Sequence, residues 1–406
     1  MNNDRFSIPL NEAEIIQKLD DARSLNTDKK VKWAVKTFKE WHQKRNEKLI
    51  TSEDELNVYK TLEEMNKGDL NFLLKRFVFE VRKVNGEKYP AKTVYELFSM
   101  MNHYIQNVLK RQWSLFNDIE FKEARQCLSA SMKDVARSGY VSGTKRSNFI
   151  SNEDEEKLWT TNVLGKSSPR QLQNTVIYLM GVHFCLRGGE ELRRLRFGQA
   201  SQLILNEDQN HVPCLIYQED ISKTHQGGLK SIGKSNKRVY CYHNSQNHDR
   251  CLPCLYSLFV SKRSGEITTD ALFLTPNDNW SSNCTGNKWY KNCPMGKNSF
   301  QQVIKGLTSG LQGRFTNHSL RRTGATRLFQ RGYEEDIVCR YTGHTSTAVR
   351  VYKEMSSEQQ IESSSTLYGT TSTRKGDDLE EKTVEGLIRG NFSNCTFNIS
   401  VQHAPK

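Results

Sequence analysis

No run of apolar residues in this chain approaches the length needed to cross a bilayer, so a transmembrane helix is not expected. The stretch from Met1 to Leu10 lacks the basic-then-apolar layout of a secretory signal, and an intracellular protein is expected. Internal repeats are absent, which argues against an architecture of stacked copies. Ten cysteines without a secretory signal read as reduced thiols, not a disulfide framework. The Asn-x-Ser/Thr triplets at Asn391, Asn394 and Asn398 are then expected to stay unglycosylated.

What the chain does have is length and positive charge. Its 406 residues suit two domains better than one. A formal net charge of +13 attracts polyanions, which permits a nucleic-acid partner without specifying one. Across residues 28–46, Val31, Val35, Phe38 and Trp41 fall on one helical face, and Lys29, Lys30, Lys32, Lys36, Lys39 and Lys44 occupy the rest. Helices are predicted over 53–66, 69–84, 91–110 and 118–136, broken at Asn85-Gly86 and Tyr89-Pro90.

The predicted division is an N-terminal arm (1–27), an all-helical domain (28–138), a linker (139–150), a second domain (151–360) and a mostly flexible tail (361–406). Ser151 and the acidic residues after it read as the cap and first turn of the second domain's opening helix. Leu203, Leu205, Val212, Leu215, Ile216 and the run from Val239 to Tyr242 predict short strands, making a small antiparallel sheet in a helical setting. A loop region follows from 265 to 296. Helices are then predicted near 299–311, 318–330, 334–341 and 346–355. The segment 363–376 is rich in Ser, Thr and Gly and is expected to be mobile, and 391–401 reads as one edge strand. The fold class is mainly α with a small antiparallel β-sheet (α+β).

One ordered set of side chains stands out: Arg187, Lys223, His318 with Arg321, His344 and Tyr352. His318 and Arg321 are three residues apart behind a helix cap at Thr316-Asn317, so they share a face and can meet one oxyanion. Tyr341-Thr342-Gly343-His344 closes one helix, and Thr345-Ser346 opens the next, which carries Tyr352. Arg187 ends an apolar helical run, with Glu190 following as a carboxylate that could hold it. A phenol with pKa about 10 costs roughly 4 kcal/mol to ionise at neutral pH. A tyrosine nucleophile therefore needs cations on its phosphate and a base beside it.

These blocks resemble the tyrosine recombinase/integrase superfamily, and most closely the crypton-type recombinases of eukaryotic mobile elements and the related C-terminal domains of zinc finger MYM-type proteins. The resemblance runs from Asp28 to Gln360. It includes Lys32-Trp33 through Trp41, Val81 through Gly86 and on to Tyr89-Pro90, Leu186-Arg187-Gly188, Trp289-Tyr290, Pro294 through Lys297, and Asn317-His318-Ser319. It implies a helical core-binding domain and a tyrosine-recombinase catalytic domain clamping double-stranded DNA, as a homodimer on each site and a tetramer at synapsis, in the nucleus. It also implies roles. Arg187 and Arg321 would grip the scissile phosphate. His318 and His344 would hydrogen-bond it, with His318 taking the nucleophile's proton. Lys223, on a β-hairpin, would protonate the departing 5′ oxygen, and Tyr352 would form the 3′-phosphotyrosyl bond. No metal or other cofactor enters this chemistry.

Departures accompany the resemblance: Arg187 is followed by Gly-Gly-Glu-Glu-Leu rather than the more common bacterial pattern, a variation the crypton-like group shares. The His344 to Tyr352 interval is one residue shorter than the family's usual spacing, a rotation of about 100° if the loss falls within a helix, and one that a shorter connecting loop could absorb. Lys230, Lys234 and Lys237 compete with Lys223 on the same stretch. For DNA contact, Lys29, Lys32, Lys36, Lys145 and Arg146 are the candidates. Trp33, Trp41, Phe72, Phe77 and Phe79 are expected in the helical core. Cys241, His243, His248, Cys251 and Cys254 suggest zinc at first reading. Only Cys251-x-x-Cys254 has ligand-like spacing and no second cysteine pair matches a ribbon or finger, so buried thiols are expected and no metal. The alternative reading of the whole is a DNA-binding or chromatin-regulating protein that keeps this fold without the reaction. A type IB topoisomerase, which uses similar chemistry as a monomer, is a third.

Overall fold

The structure is a computed structural model, and it describes residues 9–22, 25–49, 58–138, 146–220, 228–229, 232, 236–282, 288–344 and 346–369. The chain divides into two compact units, Met1–Arg146 and Ser147–Lys406.

The first unit is helical. Helix α1 (Glu12–Asp21) starts at a capping box on Asn11 and buries none of its residues. Helix α2 (Leu25–Leu49) follows, then α3 (Lys67–Glu80), α4 (Ala91–His103) and α5 (Lys122–Arg137). Apolar residues spaced three and four apart supply the interior: Ala34 and Phe38 from α2, Leu70, Leu73, Leu74 and Phe77 from α3, Leu97, Phe98 and Met101 from α4, Ala124 and Leu128 from α5. Burying each large side chain contributes about 1.5–3 kcal/mol. Asn66 caps α3 reciprocally with Asp69, which satisfies donors the helix cannot. The turn predicted at Asn85-Gly86 is present, with Gly86 at φ +83° between Arg82 and Lys88, which pair as an isolated bridge. The described part of the predicted helix over 53–66 is instead a turn, and Thr61 is hydrogen-bonded through its backbone and hydroxyl to Glu64.

The second unit is built around α7 (Pro169–His183) and α11 (Asn317–Gln330), which pack on each other and bury most of their length. Two glycines permit the approach. A Cβ on Gly181 would lie 2.2 Å from Leu320 Cδ1, and one on Gly324 would lie 2.3 Å from the Val182 carbonyl oxygen. Around this pair stand α6 (Asn152–Thr160), α8 (Glu190–Arg193), α9 (Leu252–Ser261), α10 (Lys297–Leu307), α12 (Glu335–Thr342) and α13 (Ser357–Leu367). As predicted, Ser151 caps α6, accepting the Asp154 N–H at 3.0 Å.

A three-stranded antiparallel sheet, β1 (Leu203–Glu207), β2 (Pro213–Gln218) and β3 (Arg238–Tyr242), places Leu215, Tyr217, Val239 and Cys241 in the core. The predicted small sheet is thus present and the α+β class holds. The region predicted as loop from 265 to 296 adds β4 (Leu274–Pro276) and β5 (Tyr290–Pro294), an antiparallel pair. Buried Leu274 and Tyr290 hold it to the core, a tertiary contact that local composition does not reveal.

Two further expectations need correction. The predicted helix over 346–355 is a 3-10 helix, Thr347–Tyr352. The start of the segment expected to be mobile is the end of α13, capped reciprocally by Ser356 and Gln359 and tied by the Gln359 side-chain amide to the Gln330 carbonyl at 2.9 Å. The strand predicted over 391–401 lies outside the described residues. Among the described residues, no helix is long and apolar enough to cross a membrane.

Candidate active site

The geometry begins with the cap of α11. Thr316 Oγ1 accepts the His318 N–H at 3.2 Å, and Ser319 Oγ accepts the Thr316 N–H at 3.0 Å. The first turn is thereby fixed, and His318 and Arg321 lie on one face of it. Gly188 sits against this turn: a Cβ there would be 1.9 Å from Asn317 Cβ. Only glycine lets the stretch carrying Arg187 pass so close to the stretch carrying His318.

Arg321 is 1 % exposed and joins three parts of the chain. One terminal nitrogen donates to the Cys185 carbonyl at 3.0 Å. The other donates to the Thr342 carbonyl and lies 3.3 Å from His344 Nδ1. Among the described residues no carboxylate is within ion-pair reach of Arg321. Its Nε is buried without a partner. A buried cation without a counter-ion is costly. Burial and the nearby Arg187 guanidinium both pull its pKa down.

Arg187 is held by Glu191, not by Glu190. Glu191 accepts the Arg187 backbone N–H at 2.6 Å and its guanidinium at 3.1 Å, while Glu190 faces Arg194 at 3.7 Å. The turn of α8 brings the residue four positions on, rather than three, back over Arg187.

Both histidines are kept neutral. Burial, with Arg321, Arg322 and Arg187 adding repulsion, lowers His318. Burial, Arg321 and Arg187 push His344 down to about 4. His344 Nδ1 meets Thr342 Oγ1 at 2.8 Å as well as the Arg321 guanidinium, and that hydroxyl donates to the Val338 carbonyl at 2.8 Å.

Tyr352 closes the arrangement. Its ring packs with Ala325, Phe329, Val338 and Val349, and it is 4 % exposed. The phenolic oxygen lies 3.2 Å from His318 Nε2, and the ring centroid is 5.6 Å from that of His344. Gly343, left-handed at φ +67°, ends α12 just before His344, and Ser346 caps the 3-10 helix. A 3-10 helix advances about 120° per residue, not 100°, so the short interval before Tyr352 still turns the ring inward.

Arg187, His318, Arg321, His344 and Tyr352 are therefore brought together. Lys223 lies outside the described residues, as do Lys230 and Lys234. Lys237 is buried just before β3, donates to the Phe184 carbonyl and sits 5.4 Å from the centroid of the Tyr217 ring. Burial lowers its pKa to about 8. Sequence reading missed Glu191 and Thr342. The four-residue interval after Arg187 was a signal for Glu191. Nothing local marks Thr342, which contributes a backbone carbonyl.

Of the residues named for DNA contact, Lys29, Lys32, Lys36 and Arg146 are exposed, and Lys145 lies outside the described residues. Lys32 and Lys36 border a groove of about 820 Å³ floored by Val31, Val35 and Val108. Their neighbours Lys30 and Lys39 are engaged by Glu96 and Glu63. Trp33, Trp41, Phe72 and Phe77 belong to the core or its margin, whereas Phe79 is 42 % exposed and does not.

Two family models match the chain: a domain of unknown function (DUF3504) over 149–309 and the QRICH1 domain over 28–135. Human zinc finger MYM-type protein 2 is 25 % identical over 293 residues, covering 68 % of this chain and 21 % of that protein. Human uncharacterized protein KIAA1958 is 22 % identical, covering 74 % and 41 %. Human transcriptional regulator QRICH1 is 24 % identical, covering 58 % and 30 %. The chain thus spans about a fifth to two fifths of the length of these relatives. Among solved structures, the Tn1549 transposon integrase with transposon right end DNA aligns at 14 % identity and TM-score 0.44, covering 88 % of this chain and 98 % of that one. The XerH site-specific recombinase bound to difH aligns at 16 % identity and TM-score 0.45, covering 81 % and 76 %.

Proposed function

We propose that the chain is a DNA strand transferase of the tyrosine recombinase class, of the crypton-like kind, acting through a covalent 3′-phosphotyrosyl intermediate. The observation that carries this reading is a phenol hydrogen-bonded to a neutral histidine beside a buried arginine without a carboxylate partner. Such a pocket suits a phosphodiester: the anion would supply the missing counter-charge, and the planar guanidinium groups of Arg321 and Arg187 match its non-bridging oxygens.

In the proposed reaction His318 Nε2 takes the Tyr352 proton as the phenolic oxygen attacks phosphorus. The bond from phosphorus to the 5′ oxygen breaks, and Lys223 gives that oxygen a proton. His344 hydrogen-bonds the phosphate. The phosphotyrosine conserves the bond energy, and attack by a 5′ hydroxyl reverses the steps and rejoins the strand. Double-stranded DNA is the partner, bound as a homodimer on each site and a tetramer at synapsis. The division into core-binding domain, linker and catalytic domain belongs to this reading, as do Lys29, Lys32, Lys36, Lys145 and Arg146 as phosphate contacts and a nuclear location.

A second reading is favoured by the names of the curated relatives, one of which is a transcriptional regulator. There the chain binds DNA and the strand-transfer reaction is lost. Nicked duplex substrates that trap a covalent intermediate separate the two. An adduct surviving SDS and absent in Tyr352→Phe supports the transferase; salt-sensitive binding by both proteins without an adduct supports the regulator.

A further inference from the structure

We infer that the turn joining β3 to α9 is a structural zinc site, with His243, His248 and Cys254 as ligands and Cys251 completing the tetrahedron. One ligand atom from each of the first three lies within 4.8 Å of the others. Cys254 Sγ is 3.9 Å from His248 Nδ1, and the two imidazole rings are 4.8 Å apart between centroids. Bond lengths of 2.0–2.1 Å to nitrogen and 2.3 Å to sulfur put tetrahedral ligand atoms about 3.3–3.8 Å apart. These three donors are thus within a small side-chain adjustment of that geometry, and Cys251 is the fourth ligand the proposal adds.

The spacing agrees. His243 and His248 are separated by four residues, and Cys251 and Cys254 by two, the intervals that paired zinc ligands use. Cys251 is 1 % exposed and its sulfur accepts the Asn244 N–H at 3.3 Å, the kind of outer hydrogen bond that orients a ligand. Cys251 is the N-cap residue of α9 and Cys254 stands in its first turn. Two imidazoles and two thiolates suit zinc over calcium or magnesium, which take oxygen. The nearby carboxylate of Asp249 is engaged by Lys166 at 2.6 Å.

The turn itself is already tied down. Asn247 accepts the Arg250 N–H at 3.2 Å, and Arg250 forms a two-pronged pair with Glu156 on α6, one arm at 2.8 Å. Bound here, the ion would fasten the end of β3 to α9. Just before the opposite end of β3 stands Lys237, which reaches the Phe184 carbonyl beside the candidate active site. The site is independent of the reaction proposed above.

The test uses the full chain, stripped with chelator under reducing conditions and desalted, then loaded with zinc or with cobalt(II). One equivalent of zinc retained through desalting, and a cobalt spectrum with tetrahedral d–d bands and a thiolate charge-transfer band, are expected. Cys254→Ser and His248→Asn should lose both signatures, while Cys293→Ser, an exposed cysteine outside the cluster, should keep them. Should the ligand variants fail to fold, the wild-type cobalt spectrum decides. Less than one retained equivalent, an octahedral cobalt spectrum, or full retention by a soluble Cys254→Ser overturns the site.

Discussion

The phenolic oxygen of Tyr352 lies 3.2 Å from Nε2 of His318, a residue 34 positions earlier, and each reaches that meeting point by a different local device. His318 is fixed by the Thr316 cap, Tyr352 by an apolar cluster beneath its ring. The pair needs His318 unprotonated to accept a proton, and burial, with the neighbouring guanidinium groups, lowers its pKa.

That electrostatic arrangement has a consequence for stability. A histidine whose folded pKa is depressed takes up protons more readily when unfolded, so its contribution is complete above the unfolded value near 6.5 and is lost as pH falls toward the folded value. For His344 the window runs from about 6.5 to about 4. Thermal unfolding of the DNA-free chain should show a falling Tm between pH 6.5 and 5, with a shallower fall in His344→Asn. Parallel profiles would mean that His344 is not held neutral by the fold.

Arg321 should respond to anions. Phosphate that binds the folded pocket stabilises by mass action. Wild-type protein is expected to gain Tm in phosphate relative to chloride at matched ionic strength, and Arg321→Met to lose the part of that gain that exceeds the general salting effect. Arg321→Lys, unable to bridge three acceptors, should lower stability by about 1–3 kcal/mol in urea unfolding. Equal phosphate responses in all three proteins would place the anion elsewhere.

Gly188 is expected to be intolerant of a single methyl group. Its Cβ would meet Asn317 Cβ at 1.9 Å, so Gly188→Ala must push the Arg187 turn away from the start of α11. A loss of about 1–3 kcal/mol is expected from such overpacking, measured by urea unfolding. Gly228→Ala, whose Cβ meets nothing within 4 Å, is the matched control and should change little.

Much of this was legible in the sequence, and the rest was hidden for identifiable reasons. Helical spacing located α3, α4 and α5 because their burial is one-sided and periodic, whereas α11, buried nearly throughout, was marked by its cap at Thr316-Asn317. The β4–β5 pair was read as loop because its partners are distant in sequence, Leu274 with Pro294 and Pro276 with Tyr290, with a bulged register. The residues of the candidate site were found by order and type, but Glu190 was named where Glu191 holds Arg187, since the sequence does not say how far the backbone turns after Gly188-Gly189. The short His344 to Tyr352 interval looked like a misplaced tyrosine only on the assumption of an α-helix; the 3-10 geometry of Thr347–Tyr352 removes that difficulty. The His243 and His248 pair was passed over because a second cysteine pair was sought. The tight turn that brings the histidines to Cys254 is a tertiary fact.

Formation of a protein–DNA adduct on a nicked duplex that lets the 5′ hydroxyl diffuse away tests the nucleophile directly. Tyr352→Phe removes one hydroxyl, leaves the ring in its apolar cluster and should cost no more than about 1 kcal/mol of stability. Wild-type protein is expected to yield an SDS-resistant adduct that maps to Tyr352, and Tyr352→Phe to bind the same duplex with no adduct. An adduct of undiminished yield in Tyr352→Phe, or one mapping to a different residue, would contradict the assignment.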